Sequence, residues 1–161
     1  MFKVGIIGAG WIADKMAEAL APLNDYCVHA IASRSLEKAE AFAKQWNIPK
    51  AYGSYEEMVA DKEIDLVYIA TPHSHHFPHT MLALEHGKPV LVEKAFTANA
   101  EEAEILLQTA KEKGIFITEA IWTRYMPLSH KVKELMESGV IGEPRLLTAT
   151  LCYMMEFKER I

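Results

Sequence analysis

The sequence has few cysteines and no long apolar segment, and both absences limit the kind of protein that it encodes. Cys27 and Cys152 are its two cysteines, and their spacing matches no metal-binding or redox motif. No apolar run reaches the ~20 residues that a membrane-spanning helix needs. Residues 1–7 are too short an apolar stretch, and too interrupted by glycine, to be a signal peptide. We therefore expect a cytoplasmic protein that has no membrane partner.

A strong charge of one sign is also lacking. The formal net charge is −5, which argues against nucleic acid as the main partner. Half of the residues are hydrophobic and 24% are charged, so the composition is that of an ordinary globular protein. A chain of 161 residues holds one well-buried domain and leaves little for a second.

Short apolar runs alternate with amphipathic segments along most of the chain. The predicted strands are Val4–Ile7, Cys27–Ala32, Ile64–Ala70, Val90–Val92 and Ile115–Thr118. The predicted helices are Trp11–Ala21, a helix capped by Ser35, a helix that stops at His86-Gly87 and a helix from Asn99 to Gly114. Such alternation predicts an α/β fold, a doubly wound parallel sheet of the Rossmann type with helices on both faces.

A glycine-rich turn, Gly8-Ala9-Gly10-Trp11-Ile12-Ala13, follows the first predicted strand and matches the pattern G-x-G-x-x-A. Gly8 allows a tight turn, and Gly10 lets the backbone approach a pyrophosphate. The helix that begins here presents unpaired N–H groups to the phosphates. In this strand–turn–helix context the motif predicts a dinucleotide site that includes Trp11 and Ile12, whereas the alternative is a tight turn with no ligand.

No carboxylate stands at the end of the second predicted strand, where NAD-binding proteins normally have one for the adenosine ribose. The chain has Ser33 and Arg34 there, and Lys38 follows one helical turn later. Nothing at this position repels a 2′-phosphate, and two cations are available to bind it. We therefore expect NADP(H) to be favoured over NAD(H). The alternative is a solvated basic start of a helix.

Four histidines, at positions 73, 75, 76 and 79, lie shortly after the predicted strand Ile64–Ala70. His75 and His79 have the i, i+4 spacing of a zinc-binding pair, but no nearby Cys or Glu completes a ligand set. The carboxyl end of a parallel strand lines the cofactor crevice. We therefore assign Thr71, His73 and His76 to the cofactor site, place His75 and His79 on the surface, and expect no metal.

Glu93 and Lys94 follow the short predicted strand Val90–Val92 directly. Opposite charges immediately after a buried strand lie at the edge of the same crevice. A lysine at this position is suited to binding a ribose or substrate hydroxyl and to assisting proton transfer. We predict that Lys94 is the catalytic residue and that Glu93 lines the cofactor site. The alternative is an exposed salt bridge, which contributes little.

The pattern of the chain changes after Glu119. We predict a helix from Trp122 to Ser138, a turn over residues 139–144 and a strand from Arg145 to Phe157. That strand has no predicted partner in the residues that follow it. We therefore expect residues 1–120 to form the dinucleotide-binding domain. Residues 121–161 would then be a linking helix and the first strand of an incomplete α+β domain for substrate binding and dimerisation.

Taken in order, these motifs resemble the Gfo/Idh/MocA family of oxidoreductases over essentially the whole chain. The segment 118–125 is most similar to the branch that contains dimeric dihydrodiol dehydrogenases and NADP-dependent D-xylose dehydrogenases. The resemblance implies that Lys94 contacts the nicotinamide end and the substrate, and that Trp122 and Arg124 lie near both. It also implies that His73 and His76 lie beside the cofactor. The family signature is Glu-Lys-Pro, whereas this chain has Ala95 and so lacks a rigid turn residue.

Two functions are consistent with this sequence. The first is an NADP(H)-dependent dehydrogenase acting on a sugar, diol or related polyol, represented here by its cofactor-binding half and forming a homodimer at full length. The second is a non-catalytic dinucleotide-binding sensor built on the same fold. Lys94 favours the enzyme, because a sensor needs no group for proton transfer. Family members are considerably longer, so we expect the chain alone to bind dinucleotide but to turn over no substrate.

Overall fold

A computed structural model describes residues 1–152 of the chain. The chain divides into two compact units, Met1–Ile121 and Trp122–Ile161. In the described part of the chain, no helix is long and apolar enough to cross a membrane.

The first unit contains a six-stranded sheet in which every pairing is parallel. Its strands are β1 (Phe2–Ile7), β2 (Tyr26–Ala32), β3 (Lys50–Tyr52), β4 (Leu66–Ile69), β5 (Val90–Val92) and β6 (Ile117–Glu119). Their order across the sheet is β3-β2-β1-β4-β5-β6. The chain therefore winds outward in one direction from β1 and in the other from β4, which confirms the predicted doubly wound sheet.

Helices connect these strands. They are α1 (Trp11–Leu20), α2 (Leu36–Trp46), α3 (Tyr55–Val59), α4 (His76–Glu85) and α5 (Ala100–Lys113). The predicted caps are confirmed: Ser35 Oγ accepts from the Lys38 N–H at 3.3 Å, and Asn99 Oδ1 accepts from the Glu102 N–H at 2.9 Å. Gly114 ends α5 in the left-handed conformation at φ +66°, as expected for a glycine stop.

Alternate residues of the strands point to opposite faces of the sheet, and each face has its own core. On one face, Ile7, Ile69 and Val92 are fully buried together with residues of α3, α4 and α5. On the other face, Ile6 and Tyr68 are buried together with residues of α1 and α2. A strand buried on both faces has a nearly continuous apolar sequence, which explains why the predicted strand Ile64–Ala70 is so apolar.

Two elements of the first unit were not predicted. We assigned nothing between Trp46 and Ile64, where the structure has β3 and α3. Both elements are short, at three and five residues, so neither shows a full period of hydrophobic repetition. The helix α3 nevertheless has a recognisable cap, because Ser54 Oγ accepts from the Glu57 N–H at 3.2 Å.

The described residues of the second unit include a 3₁₀ turn over Trp122–Tyr125 and the helix α6 (Pro127–Glu137). The predicted helix from Trp122 to Ser138 is thus divided, because Pro127 occupies the first turn of α6 and has no N–H with which to continue an earlier helix. The turn packs on α6 through Ser129, whose hydroxyl donates to the Thr123 carbonyl at 2.6 Å.

The predicted strand Arg145–Phe157 is wrong for residues 145–152, which have no regular secondary structure. A strand is stabilised by a neighbouring strand that pairs with its backbone, and no described residue pairs with this segment. Residues 153–157 lie outside the described part of the chain.

An ion-pair network joins β3 to the segment before β4. Lys50 Nζ lies 2.7 Å from Asp61 Oδ2, and the Tyr52 hydroxyl donates to the same oxygen at 2.9 Å. Lys50 also binds Glu63. Burial alone would raise the pKa of Asp61, but these hydrogen bonds and that of the Glu63 N–H outweigh it and lower the pKa to about 2.

We expect this network to make the fold sensitive to acid. The pKa of Asp61 is about 2 in the folded chain, against an ordinary value of 3.8. Its contribution to stability is therefore complete above the ordinary value and is lost as the pH falls towards 2. Urea unfolding at several pH values between 7 and 2 measures this loss. Asp61→Asn should reduce the pH dependence, and an unchanged dependence in that variant would contradict the assignment.

Candidate functional site

The candidate site lies at the carboxyl edge of the sheet, where β1 and β4 pair side by side. Gly8 follows β1 and has φ +103°, a conformation that strains any other residue. A Cβ atom on Gly8 would lie 2.9 Å from the Ala70 carbonyl oxygen and 3.1 Å from Thr71 Cγ2. The loop after β1 can approach the loop after β4 this closely because Gly8 has no side chain. The predicted role of Gly8 in a tight turn thus has a direct geometric cause.

The helix α1 begins at this edge of the sheet and has features that suit a phosphate group. Gly10 is its N-cap and has no side chain to pair with the free N–H groups of the first turn. A Cβ atom on Gly10 would meet nothing within 4 Å, so the space beside Gly10 is open. Ala13 is fully buried and allows α1 to pack closely on the sheet. Of the other predicted residues in this turn, Trp11 is exposed and Ile12 is partly buried.

An acid in the first turn of α1, Asp14, is hydrogen-bonded to the last turn of α2. Its Oδ1 accepts hydrogen bonds from Gln45 Nε2 at 2.8 Å and from Trp46 Nε1 at 2.9 Å. These bonds tie α1 to α2, the helix that follows Ser33 and Arg34. We did not predict this contact, because nothing local in the sequence relates Asp14 to residues more than thirty positions away.

At the end of β2 the structure places Ser33 and Arg34 beside the start of α2. Ser33 is buried, its N–H donates to the Tyr52 carbonyl at 3.1 Å, and its Oγ accepts from the Ser35 N–H at 3.4 Å. Arg34 and Lys38 are exposed. The end of β2 therefore presents a cation together with the N-terminus of α2, and both favour an anion.

His76 joins the loops that follow β4 and β5. Its ring is completely buried, with Nδ1 2.8 Å from the Ala95 carbonyl oxygen and Nε2 2.9 Å from the Thr71 carbonyl oxygen. His73 adds a second bridge, because its Nε2 lies 3.0 Å from the Lys94 carbonyl oxygen. These two histidines therefore fix the backbone around Lys94.

The prediction that His79 lies on the surface is wrong, whereas His75 is exposed as expected. His79 is partly buried, its Nδ1 lies 3.1 Å from Thr71 Oγ1, and its ring meets the edge of Tyr55 at 4.6 Å. Burial, followed by the neighbouring His75, lowers the pKa of His79 to about 4. The side chain is therefore neutral near pH 7 and orients Thr71. Its position on the inner side of α4 was not evident from the histidine spacing.

A different group, His29, Asp61 and Glu63, brings possible metal ligands together in the described part of the chain. Its carboxylates already bind ammonium groups, since Lys50 pairs with both and Lys3 pairs with Glu63 at 2.6 Å. This cluster is therefore an ion-pair network that needs no metal to balance its charge. That the protein requires no metal stays a prediction.

Glu93 and Lys94 are at the end of β5, and the structure separates their environments. Glu93 is buried, and its two carboxylate oxygens accept from the Tyr68 hydroxyl at 2.5 Å and from the Lys94 backbone N–H at 3.1 Å. Lys94 is exposed, and its ammonium group forms no salt bridge with Glu93. The alternative of an exposed salt bridge is therefore wrong.

Ala95, which replaces the proline of the family signature, is also held by neighbours. The Lys94–Ala95 peptide bond is cis. The Ala95 carbonyl contacts His76, and the next N–H, that of Phe96, donates to Glu119 Oε1 at 2.8 Å. Hydrogen bonds from two other segments thus define the path of the chain after Lys94.

The structure brings most of the predicted site residues to one edge of the first unit. They are Gly8, Gly10, Trp11 and Ile12 after β1, Ser33, Arg34 and Lys38 after β2, Thr71, His73 and His76 after β4, and Glu93 and Lys94 after β5. Trp122 and Arg124 belong to the second unit, where both are exposed on the 3₁₀ turn. Their role at the nicotinamide end stays a prediction.

A doubly wound sheet with a glycine turn after its first strand is the arrangement found in dinucleotide-binding oxidoreductase domains, and this chain has it. The chain belongs to the Gfo/Idh/MocA family, whose model, described as an oxidoreductase family with an NAD-binding Rossmann fold, matches residues 2–120. This match confirms the family that the motifs indicated.

Among curated proteins, the chain is 47% identical over 152 residues to D-xylose 1-dehydrogenase (NADP(+)) of Hypocrea jecorina, covering 87% of this chain and 39% of that protein. It is 42% identical over 147 residues to trans-1,2-dihydrobenzene-1,2-diol dehydrogenase of Mus musculus, covering 90% of this chain and 44% of that protein. The chain therefore spans less than half the length of these relatives.

Solved structures show the same likeness. An NAD-binding oxidoreductase from Klebsiella pneumoniae superposes with a TM-score of 0.82 at 29% identity, covering 89% of this chain and 40% of that one. The 3-ketoreductase KijD10 from Actinomadura kijaniata, in complex with NADP, gives a TM-score of 0.80 at 31% identity, covering 88% and 45% of the two chains.

Proposed function

We propose that this chain forms the cofactor-binding part of an NADP(H)-dependent dehydrogenase that acts on a CH–OH group of a sugar, diol or related polyol. The observation that carries the proposal is the position of Lys94, an exposed cation at the same edge of the sheet as the dinucleotide turn. The names of two similar curated proteins, a D-xylose dehydrogenase and a dihydrobenzenediol dehydrogenase, support this class of small-molecule substrate.

The cofactor fits the residues that are present. Gly8 permits the close turn, open space lies in front of Gly10, and the first N–H groups of α1 are available for a pyrophosphate. When bound, NADP(H) supplies the nicotinamide carbon that accepts or donates the hydride. His73 and His76 fix the backbone on the carbonyl side of Lys94.

The role of Lys94 in this proposal is to bind and polarise the reacting oxygen. Its ammonium group donates a hydrogen bond to the substrate hydroxyl or carbonyl oxygen. If the hydride passed to the nicotinamide and the hydroxyl proton to water, the Lys94 cation beside that oxygen would stabilise the negative charge that develops on it. The same proposal includes further residues that complete the substrate pocket and a homodimer of the full-length protein.

A test uses the protein encoded by the complete gene. NADPH formation is followed by absorbance with a panel of aldoses and trans-dihydrodiols, and dinucleotide binding is titrated in parallel. We expect both binding and turnover. Tight dinucleotide binding with no turnover on any substrate would favour the non-catalytic sensor, and failure to bind either dinucleotide would contradict both functions.

Arg34 is expected to set the preference for NADP(H). A charge-assisted hydrogen bond to the 2′-phosphate contributes roughly 1.5–3 kcal/mol, or on the order of ten- to a hundred-fold in affinity. Arg34→Ala should therefore weaken NADPH binding by about this factor. It should leave NADH binding unchanged, because NADH has no 2′-phosphate. Fluorescence titration of each dinucleotide with each protein measures both effects.

Lys44→Ala is a suitable control, since Lys44 is an exposed cation in the last turn of α2 rather than at its start. It should leave the affinity for both dinucleotides unchanged. Equal affinities of the unmodified protein for NADPH and NADH would show that Ser33 and Arg34 do not discriminate between them.

A further inference from the structure

A buried tyrosine lies next to the segment that carries Lys94. The pairing of β4 with β5 places Tyr68 opposite Leu91, so Glu93, two residues later, is on the same face of the sheet. Tyr68 is 1% exposed and Glu93 is 8% exposed. The Tyr68 hydroxyl donates to Glu93 Oε1 at 2.5 Å, and the two side chains form one buried unit.

The other carboxylate oxygen of Glu93 faces the chain that leads to Lys94. Glu93 Oε2 accepts from the Lys94 backbone N–H at 3.1 Å. A buried carboxylate is costly unless donors satisfy it, so its orientation follows the donors that surround it. Among the described residues, the side chain of Glu93 accepts from Tyr68 and from the Lys94 N–H. Tyr68 is thus the side chain that anchors the carboxylate.

The anchoring hydroxyl remains a donor over a wide pH range. Burial, followed by the hydrogen bond to Glu93, raises the pKa of Tyr68 above its ordinary value. A protonated phenol beside an acceptor-only carboxylate donates in one direction. The backbone of Lys94 is bound at both of its polar groups, at the N–H by Glu93 and at the carbonyl by His73.

We propose that Tyr68 is a positioning residue for Lys94, acting through the carboxylate of Glu93. This inference rests on the proposed function, because it assigns to Tyr68 a role in the reaction that Lys94 assists. Tyr68 fixes the carboxylate, the carboxylate fixes the backbone of Lys94, and the backbone sets the direction in which the lysine side chain leaves the sheet. Tyr68 itself contacts neither substrate nor cofactor in this scheme.

A purely structural role makes a different prediction. The Tyr68 ring belongs to the same core as Ile6 and Ile31, and a residue that only fills this core affects stability alone. Tyr68→Phe keeps the ring and removes the donor, so it separates the two roles. A misplacement of about 1 Å in a reacting group costs on the order of 10²-fold in rate. A positioning role therefore predicts a slower Tyr68→Phe enzyme, although the ring still packs in the core.

The experiment measures kcat, KM and the dissociation constant of NADPH for the protein encoded by the complete gene. For Tyr68→Phe we expect kcat to fall about 10- to 100-fold and NADPH affinity to stay within about twofold, since the glycine turn and Arg34 are untouched. Tyr52→Phe is the matched control. It also removes a hydrogen bond from a phenol to a carboxylate, that of Asp61, and Tyr52 is on β3, which three strands separate from β5. Its kcat should be unchanged.

A double-mutant cycle tests the route through Glu93. Glu93→Gln should lower kcat to a similar degree, and the double variant Tyr68→Phe/Glu93→Gln should be no slower than Glu93→Gln alone. If Tyr68→Phe is poorly folded, Glu93→Gln still tests the route, because a wild-type kcat in Glu93→Gln would show that the carboxylate does not position Lys94. Additive effects, or a wild-type kcat in Tyr68→Phe or in Glu93→Gln, would overturn the proposal.

The same measurements distinguish a failure of this inference from a failure of the proposed function. If Lys94→Ala is inactive and Tyr68→Phe is fully active, the dehydrogenase stands and the positioning role is wrong. If Lys94→Ala retains full activity, or if the unmodified protein turns over no substrate, the proposed role of Lys94 fails and the inference about Tyr68 fails with it.

Discussion

Lys94→Ala is expected to lower the rate of hydride transfer by about 10²- to 10⁴-fold in the protein encoded by the complete gene. The expectation follows from the position of the lysine at the end of β5, where it is exposed at the carboxyl edge of the sheet and forms no salt bridge with Glu93. NADPH affinity should change little, because the phosphates bind at the glycine turn and at Arg34. Single-turnover kinetics and a fluorescence titration measure the two quantities separately.

Two further variants make this experiment specific. Lys94→Met keeps most of the aliphatic stem and removes the charge, so it should be as impaired as the alanine variant if proton transfer and polarisation matter. Lys113→Ala removes an exposed lysine from the end of α5 and should have wild-type activity. A fully active Lys94→Met protein would show that the ammonium group has no part in the reaction.

Gly8→Ala should mainly lower the stability of the protein and Gly10→Ala should mainly lower its dinucleotide affinity, although the two positions lie two residues apart. At Gly8 the backbone has φ +103° and a Cβ would lie 2.9 Å from a carbonyl oxygen, so we expect the free energy of unfolding to fall by about 2–4 kcal/mol. At Gly10 the backbone is extended and the space is open, so the loss should be less than about 1 kcal/mol. Urea unfolding measures both changes.

Gly10→Ala should nevertheless weaken both NADPH and NADH, by about tenfold or more, because its methyl group occupies the space that the pyrophosphate needs. Each variant is the control for the other: one reports on the turn in the free protein and the other on the ligand. Unchanged dinucleotide affinity in a stable Gly10→Ala protein would show that the pyrophosphate does not bind at this turn.

Much of the fold could be predicted because its signals are local. The caps at Ser35 and Asn99, the stop at Gly114 and the apolar run of β5 each depend on a few consecutive residues, and the structure confirms all four. The prediction of Arg145–Phe157 as a strand used the same kind of signal and is wrong for its described part. An apolar run permits a strand, but only a neighbouring strand makes one.

The sequence by itself determined the doubly wound class of the sheet, the glycine turn and the set of polar residues at the carboxyl edge. These follow from periodicity, from glycine stereochemistry and from the rule that parallel strands end at the same edge. The tertiary structure alone decided which of those residues touch. Tyr68 and Glu93 are 25 positions apart and meet because of the β4–β5 register, and His76 bonds to Ala95 across 19 positions. Such contacts depend on the packing of whole elements, which no short stretch of sequence encodes.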